Sequence, residues 1–281
     1  MPPKRVAWLG DTDCHQPHLT GGKASTLSEL GSEFRVPEGF VLRADALATN
    51  PSPDKIRRWV TQGYNRLWDS HGVSDLQVAV RSSAVGEDGA EQSFAGQHDT
   101  YLGISGISNV TKAVLDCIKS VHTDRAIAYR REHQITNPPL MAVLVQRLIP
   151  ADVSIVAFST NPVGSDDEVL ITSTWGLGET LVSGSVIPDS YVVSKGDERR
   201  IESTIAIKQR MTLLSQGGSF SACEVDTPNH LANAATLPLG AVGEVYKLVT
   251  ALEERQGYPV DVEACYENGR LYLLQCRPIT A

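Results

Sequence analysis

The chain has 281 residues, 41% of them hydrophobic and 21% charged, and a formal net charge of −8. That length supports one large domain or two lobes with a real core. The acidic balance argues against non-specific binding to nucleic acid or an anionic membrane, and no apolar run approaches the ~18 residues of a membrane span.

The start, MPPKRVAWLG, lacks the apolar core and cleavage site of a signal peptide. The five cysteines (14, 117, 223, 265 and 276) are odd in number and scattered, with no C-x-x-C. They read as reduced thiols of a cytoplasmic protein. Cys14-His15-x-x-His18 has a spacing that fits no common metal site.

In chain order, GGKASTLSELGSEF from Gly21 predicts a glycine turn leading into a helix with Leu27 and Leu30 on one face. VPEGFVL predicts a turn and a short strand. A helix opens at Ser52-Pro53, with Ile56, Trp59, Val60, Leu67 and Trp68 as its apolar stripe. LQVAVRSSA is a strand that runs into a polar loop reaching Gln97. Residues 108 to 134 predict a long amphipathic helix, and MAVLVQRLI, 141 to 149, a buried strand. Strands follow at 153 to 159, 168 to 174, 190 to 194 and 201 to 207. The next helix, from Leu237, points Val242, Val245, Leu248, Val249 and Leu252 inward, and a hairpin closes the chain. The class is α+β, with mostly antiparallel strands in the second half. A helix-rich first half and a strand-rich second half predict two lobes, 1–148 and 149–281, with a hinge near Gln146 to Pro150.

Three glycine-bearing loops invite an anion. In VRSSAVGEDGAEQSFAGQ, residues 80 to 97, a strand delivers Arg81, Ser82 and Ser83 into a loop with Gly86, Gly89 and Gly96. Glycines let backbone N–H groups approach an anion, hydroxyls add donors, and Arg81 adds a fixed positive fork. Composition alone leaves a plain surface loop equally open. Gly21-Gly22-Lys23 places a lysine at a helix start, where N–H groups and the dipole favour an anion, although the motif is common. WGLGETLVSG, 175 to 184, sets Glu179 after a strand but does not follow the dinucleotide fingerprint. Glu179 is either a contact for ribose hydroxyls or simply exposed.

The hairpin carries Asp261, Glu263, Gln275 and Arg277, all odd-numbered. Residues two apart on a strand share a face. A two-residue Asn268-Gly269 turn would pair 267 with 270 and put the acids and the Gln/Arg pair on opposite faces. A three-residue loop, Glu267-Asn268-Gly269, pairs 266 with 270 and puts all four on one face, with Asp261 opposite Gln275. The other face is then Val262, Ala264, Tyr266, Tyr272, Leu274 and Cys276, which is coherently apolar. Burial therefore predicts the odd loop. Two carboxylates and an amide oxygen are good ligands for Mg²⁺, and an adjacent arginine suits phosphate. The competing possibility is an edge ion pair of Asp261 or Glu263 with Arg277.

Taken together, GGKASTLSEL, VPEGFVL, VRSSAVGEDGAEQSFAGQHDTYL, VLVQRLIPADVSIVAFSTNPV, GLGETLVSGSVIPDSYVV and DVEACYENGRLYLLQCRPIT resemble one family. It is the nucleotide-binding domain of phosphoenolpyruvate synthase, pyruvate phosphate dikinase and rifampin phosphotransferase. The stretches occur in family order from residue 21 to 280. The resemblance implies a two-lobed ATP-grasp fold that clamps ATP. It implies Lys23 and Arg81 as phosphate contacts and the loop from Ser82 and Ser83 through Gly96 to Gln97 as a phosphate cover. Gln146 and Leu148 would face adenine, and Glu179 would contact the nucleotide. Asp261, Glu263 and Gln275 would be the metal-binding and catalytic positions, and Arg277 the phosphate arginine. The implied activity is ATP- and Mg²⁺-dependent phosphotransfer to a histidine, giving AMP.

This chain stops where the family's nucleotide domain stops, and none of its seven histidines sits in a phosphohistidine motif. The expected acceptor is therefore a histidine on a partner protein or on a further part of the same polypeptide. Direct phosphorylation of a small metabolite, or a non-catalytic nucleotide-binding role, stand as alternatives. Two departures are local. The family's Pro-Gln-Asp-hydrophobic-Glu-aromatic reads Pro259-Val-Asp-Val-Glu-Ala264, and DVSIVAFSTNPV lacks the usual Ser-Gly before its apolar run.

Overall fold

The computed structural model describes residues 4–72, 76–86, 88–89, 92–93, 100–124, 127–128, 131, 139–196, 200–214 and 222–279. The chain divides into two compact units, Met1–Leu148 and Ile149–Ile279. Helix and sheet are mixed in both.

In the first unit, strands β1 (Val6–Trp8), β2 (Gly39–Leu42), β3 (Gln77–Ala84), β6 (Thr100–Ser105) and β7 (Met141–Arg147) form one sheet, in the order β1-β2-β7-β3-β6. All its pairings are antiparallel. The short strands β4 (Asp88–Gly89) and β5 (Gln92–Ser93) pair only with each other. Phe40, Leu42, Val78, Val80, Val143 and Val145 alternate along their strands onto one face, as the period of two requires. Helices α2 (Ala44–Leu47), α3 (Pro53–His71) and α4 (Ile107–Ser120) join this core. The other face meets α1 (Pro17–Leu30), which packs on β3 and β7.

The α3 stripe differs from the predicted one. Ile56, Val60, Tyr64 and Leu67 are buried, whereas Trp68 is 41% exposed. Tyr64 fits the buried side because its hydroxyl donates to the Leu76 carbonyl. Pro53 fills the first turn, and Gly72 ends the helix at a φ of 61°. The single helix predicted for 108 to 134 is interrupted: α4 ends at Ser120, Val121 is buried in the core, and helical backbone resumes at Asp124, with Ile127, Ala128 and Arg131 also helical. The first half is also richer in strand than predicted, since β1 and β6 are too short or too polar to stand out by pattern.

In the second unit, β8 (Val153–Phe158), β9 (Glu168–Trp175), β10 (Asp189–Ser194), β11 (Ile201–Thr204), β14 (Val260–Glu267) and β15 (Arg270–Pro278) form a six-stranded sheet. Its order is β11-β10-β9-β8-β14-β15, again antiparallel throughout. A separate ribbon pairs β12 (Arg210–Leu214) with β13 (Ala222–Asp226). Helices α5 (Glu179–Val182) and α6 (Asn229–Ala232) are single turns, and α7 (Leu239–Gln256) is long. Val242, Val245, Tyr246, Val249 and Leu252 of α7 are buried, and the helix packs on β8, β9 and β14. No helix among the described residues is long and apolar enough to cross a membrane.

The hairpin corrects the predicted loop. Glu267 pairs with Arg270, so the turn is the two-residue Asn268-Gly269, with both residues at positive φ. That is the geometry a tight hairpin with native twist prefers. A β-bulge then restores the parity: Ala264 pairs with Leu273, but Glu263 pairs with Gln275, leaving Leu274 as the extra residue. Beyond it Val262 opposes Cys276 and Asp261 opposes Arg277, not Gln275. Asp261, Glu263, Gln275 and Arg277 do share one face. The apolar face is Val262, Ala264, Tyr266, Leu271, Leu273 and Cys276, with Tyr272 moved to the polar side.

Candidate functional site

Strand β10, β9 up to Ser173 and β8 from Ile155 onward alternate between buried and part-exposed positions. Ile155, Ala157, Val169, Ile171, Tyr191, Val193, Val262 and Ala264 are buried. Their face lies under α7, since the Tyr266 hydroxyl donates to Glu244 on that helix. The opposite face is not covered by α7. It presents Val156, Phe158, Leu170, Thr172, Ser190 and Val192, all only partly buried. The four polar hairpin residues project from this face, Glu263 and Arg277 partly exposed and Asp261 and Gln275 buried. In register, Asp261 lies beside Phe158 and Glu263 beside Val156, which in turn opposes Thr172.

Within that row, Glu263 and Gln275 are direct cross-strand partners, as are Asp261 and Arg277. Arg277 Nε donates to Asp261 Oδ2 at 2.8 Å, and Nη2 stands 2.6 Å from the same oxygen. The ion pair considered from sequence is thus formed, and it is formed by Asp261. Burial nevertheless pushes the Asp261 carboxyl above its usual range; Arg277 opposes that shift and the Glu263 charge adds to it. Among the described residues, no three His, Cys, Asp or Glu side chains gather as a metal-binding set. The hairpin offers two carboxylates and an amide instead.

Glu179 opens α5, just after the glycine turn that ends β9. Gly176 has a φ of 75°, and a Cβ there would lie 2.1 Å from the Thr212 carbonyl oxygen, so no other residue fits. Leu177 N–H donates to that same carbonyl, and Ser154 Oγ donates to the Gly176 carbonyl. These bonds brace the turn between β8 and β12. Desolvation by the surrounding protein raises the Glu179 carboxyl.

In the first unit, the Gly-Gly-Lys turn sits on the end of β3. Gly21 breaks α1 with φ 77° and ψ 166°, a region open essentially to glycine alone. A Cβ on Gly21 would lie 2.1 Å from the Ser83 carbonyl oxygen. Ser83 Oγ donates to the Thr20 carbonyl and accepts from the Ala24 N–H, at 2.8 and 3.1 Å. Lys23 Nζ donates to the Ser82 carbonyl at 3.0 Å. Pairing with Leu144 and Ala142 puts Arg81 and Ser83 on the α1 face, whereas Ser82, opposite Val143, faces the α3–α4 core. Lys23, Arg81 and Ser83 therefore share the α1 side, Ser83 holding the turn through its hydroxyl, whereas Ser82 joins them only through its backbone carbonyl. Gln146 is buried and its amide donates to the Pro37 carbonyl; the Leu148 N–H donates to the Gln77 carbonyl. Gly96 and Gln97 lie outside the described residues.

One feature escaped sequence reasoning. Asp189 and Lys208 form an ion pair with both side chains 0% exposed and Nζ–Oδ1 at 2.5 Å. Asp189 also accepts from Ala206 N–H, Thr236 N–H and Thr236 Oγ1, so every lone pair is engaged. No local motif marks it, because its parts are distant in sequence.

Residues 44–281 match the family described as pyruvate phosphate dikinase, AMP/ATP-binding domain. The chain belongs to that family. Its curated relatives include probable phosphoenolpyruvate synthases. That of Methanocaldococcus jannaschii is 35% identical over 99% of this chain and 27% of its own length. That of Methanothermobacter thermautotrophicus is 36% identical over 99% of this chain and 46% of its own. The phosphoenolpyruvate synthase of Pyrococcus furiosus is 36% identical over 81% of this chain and 29% of its own. This AMP/ATP-binding domain thus spans less than half the length of these relatives.

Proposed function

We propose that this AMP/ATP-binding domain works as the ATP-cleaving part of a dikinase-type phosphotransferase, passing phosphate or pyrophosphate to a histidine on a separate domain or partner. The observation that carries the reading is the convergence of Asp261, Glu263, Gln275 and Arg277 on one face of the hairpin. Family membership and the phosphoenolpyruvate synthase relatives support it. The fold reading that goes with it is ATP-grasp. Five free cysteines favour a cytoplasmic setting.

The donor chemistry fits Mg²⁺: Glu263 and Gln275 place a carboxylate and an amide oxygen directly opposite each other, the hard set this ion takes alongside phosphates and water. When bound, the ion would neutralise charge on the polyphosphate. Arg277 would grip a phosphate oxygen. Lys23 and Arg81 would add positive charge at the phosphates. Glu179 would accept hydrogen bonds from the nucleotide, and Gln146 and Leu148 would border the adenine. Such transfer depends on positioning and electrostatic stabilisation more than on covalent help from the protein.

The test is product analysis with Mg²⁺ and ATP, with the chain alone, with small-molecule acceptors, and with a histidine-bearing domain from a relative. AMP formed only with the histidine domain is expected. ADP formed with a metabolite instead would make it a direct kinase, and binding without turnover would remove the enzymatic reading. Glu263→Gln should lower turnover by at least about 100-fold while leaving the fold intact. Full activity in that variant would remove Glu263 from the site.

A further inference from the structure

The Glu179 side chain is exposed, and no hydrogen bond or ion pair among the described residues holds its carboxylate. Its place is set by the turn before it. Gly176, Leu177 and Gly178 join β9 to α5, and a single helical turn is too short to hold itself. The anchors come from outside. Gly176 N–H donates to the Asp152 carbonyl at 2.9 Å, Leu177 N–H donates to the Thr212 carbonyl at 2.8 Å, and Ser154 Oγ donates to the Gly176 carbonyl at 2.7 Å. Of these three, only the last is made by a side chain. We propose that Ser154 is the positioning residue of Glu179, and that its hydroxyl thereby sets how tightly the domain holds the sugar hydroxyls of a nucleoside triphosphate. The inference rests on the nucleotide reading of Glu179 above and adds to it a residue that sequence did not single out.

Two physical points carry it. A glutamate side chain has several rotatable bonds, so it meets a ligand hydroxyl reproducibly only when its backbone is fixed. A turn rich in glycine cannot supply that by itself. Ser154 can, because it lies within the sheet, on β8, opposite Thr174 of β9 and Cys265 of β14. It is 4% exposed, where a hydroxyl is costly unless bonded, and its bond goes to the turn. Gly178 packs against the same side chain, since a Cβ there would lie 3.3 Å from Ser154 Cβ. The second grip comes from the ribbon. Thr212 holds Leu177 through its carbonyl, and its Oγ1 lies 3.4 Å from Thr180 Oγ1, next to Glu179.

The full chain is titrated with ATP and with 2′,3′-dideoxyATP, which lacks the sugar hydroxyls, in the presence of Mg²⁺ and without an acceptor. The unmodified chain should favour ATP by about tenfold, and Glu179→Ala should abolish that preference. Ser154→Ala should weaken ATP about fivefold while leaving 2′,3′-dideoxyATP within about twofold, and should have no further effect in a Glu179→Ala chain, because the serine acts through the glutamate. A purely structural Ser154 would instead weaken both nucleotides alike, together with a lower melting temperature. That outcome overturns the proposal alone, as does an effect of Ser154→Ala that persists without Glu179; both leave the Glu179 contact standing. A preference for ATP that survives Glu179→Ala removes Glu179 from the sugar and takes the proposal with it. Failure of the unmodified chain to bind either nucleotide overturns the nucleotide-site reading itself. Thermal unfolding checks that Ser154→Ala folds. Thr212→Val, which removes only the hydroxyl near Thr180, is the second variant and should lower the preference for ATP about twofold.

Discussion

A buried carboxylate beside a half-buried guanidinium responds differently depending on which partner is removed. The Asp261 carboxyl is raised by burial even with Arg277 in contact, so ionising it works against the fold. Arg277→Met removes the opposing charge and leaves the carboxylate stranded, at a cost of about 2–4 kcal/mol at pH 7. The sign with pH follows from proton linkage. The native state then holds its proton up to a higher pH than the unfolded chain does, so stability should recover as pH falls through the raised value. Chemical denaturation between pH 4 and pH 7 reads this directly (the window is an approximate choice); a loss independent of pH would show that Asp261 is not the cause. Sequence parity brought these residues to one face, but by the wrong loop. What it could not supply was which acid takes the arginine, because pairing depends on a one-residue slip.

That slip is an element-scale event. The bulge at Leu274 lets a favourable tight turn coexist with a polar face that the turn alone would have split. The same hairpin joins the two local departures from the family pattern. Ala264, in place of an aromatic residue, lies directly opposite Ile155, which follows Ser154 where the family usually has glycine. Both are 1% exposed on the face beneath α7, away from the polar row. Against the pattern the family resemblance implies, a larger side chain faces a smaller one here, which conserves volume. Ala264→Phe alone should therefore destabilise by about 1–3 kcal/mol through overpacking. Ile155→Ala in the same chain should return at least half of that, although alone it costs about 2–4 kcal/mol. A double-mutant cycle by urea denaturation checks the coupling; strictly additive effects would mean the two sites do not share space.

At the scale of the whole molecule, each unit has its own core, and the second is also fixed by a charge. Lys208 and Asp189 tie the segment before β12 to the start of β10 and to Thr236. Through β12 that segment reaches Thr212, whose carbonyl holds the turn leading to Glu179. Lys208→Met would leave a buried carboxylate without its cation, with an expected loss of about 3–5 kcal/mol. The double variant with Asp189→Asn should recover part of it. Because the units are separately compact, the loss should fall on one of two unfolding steps, followed by hydrogen exchange in 149–279 against 4–148. Equal loss of protection in both would show that they unfold as one.

The sequence by itself determined the kinds of element, the α+β class, the family, and which side chains carry charge into otherwise apolar strands. These are local signals: alternation, turn residues, motif order. Only the tertiary structure decided the bulge, the Asp261–Arg277 pairing, the buried Asp189–Lys208 pair and the commitment of Ser83 to the glycine turn. Each of those depends on contacts between segments far apart in the chain. Strand register is chosen by total burial across a sheet and not by any one strand's pattern, and a buried ion pair forms only where folding has already removed the water.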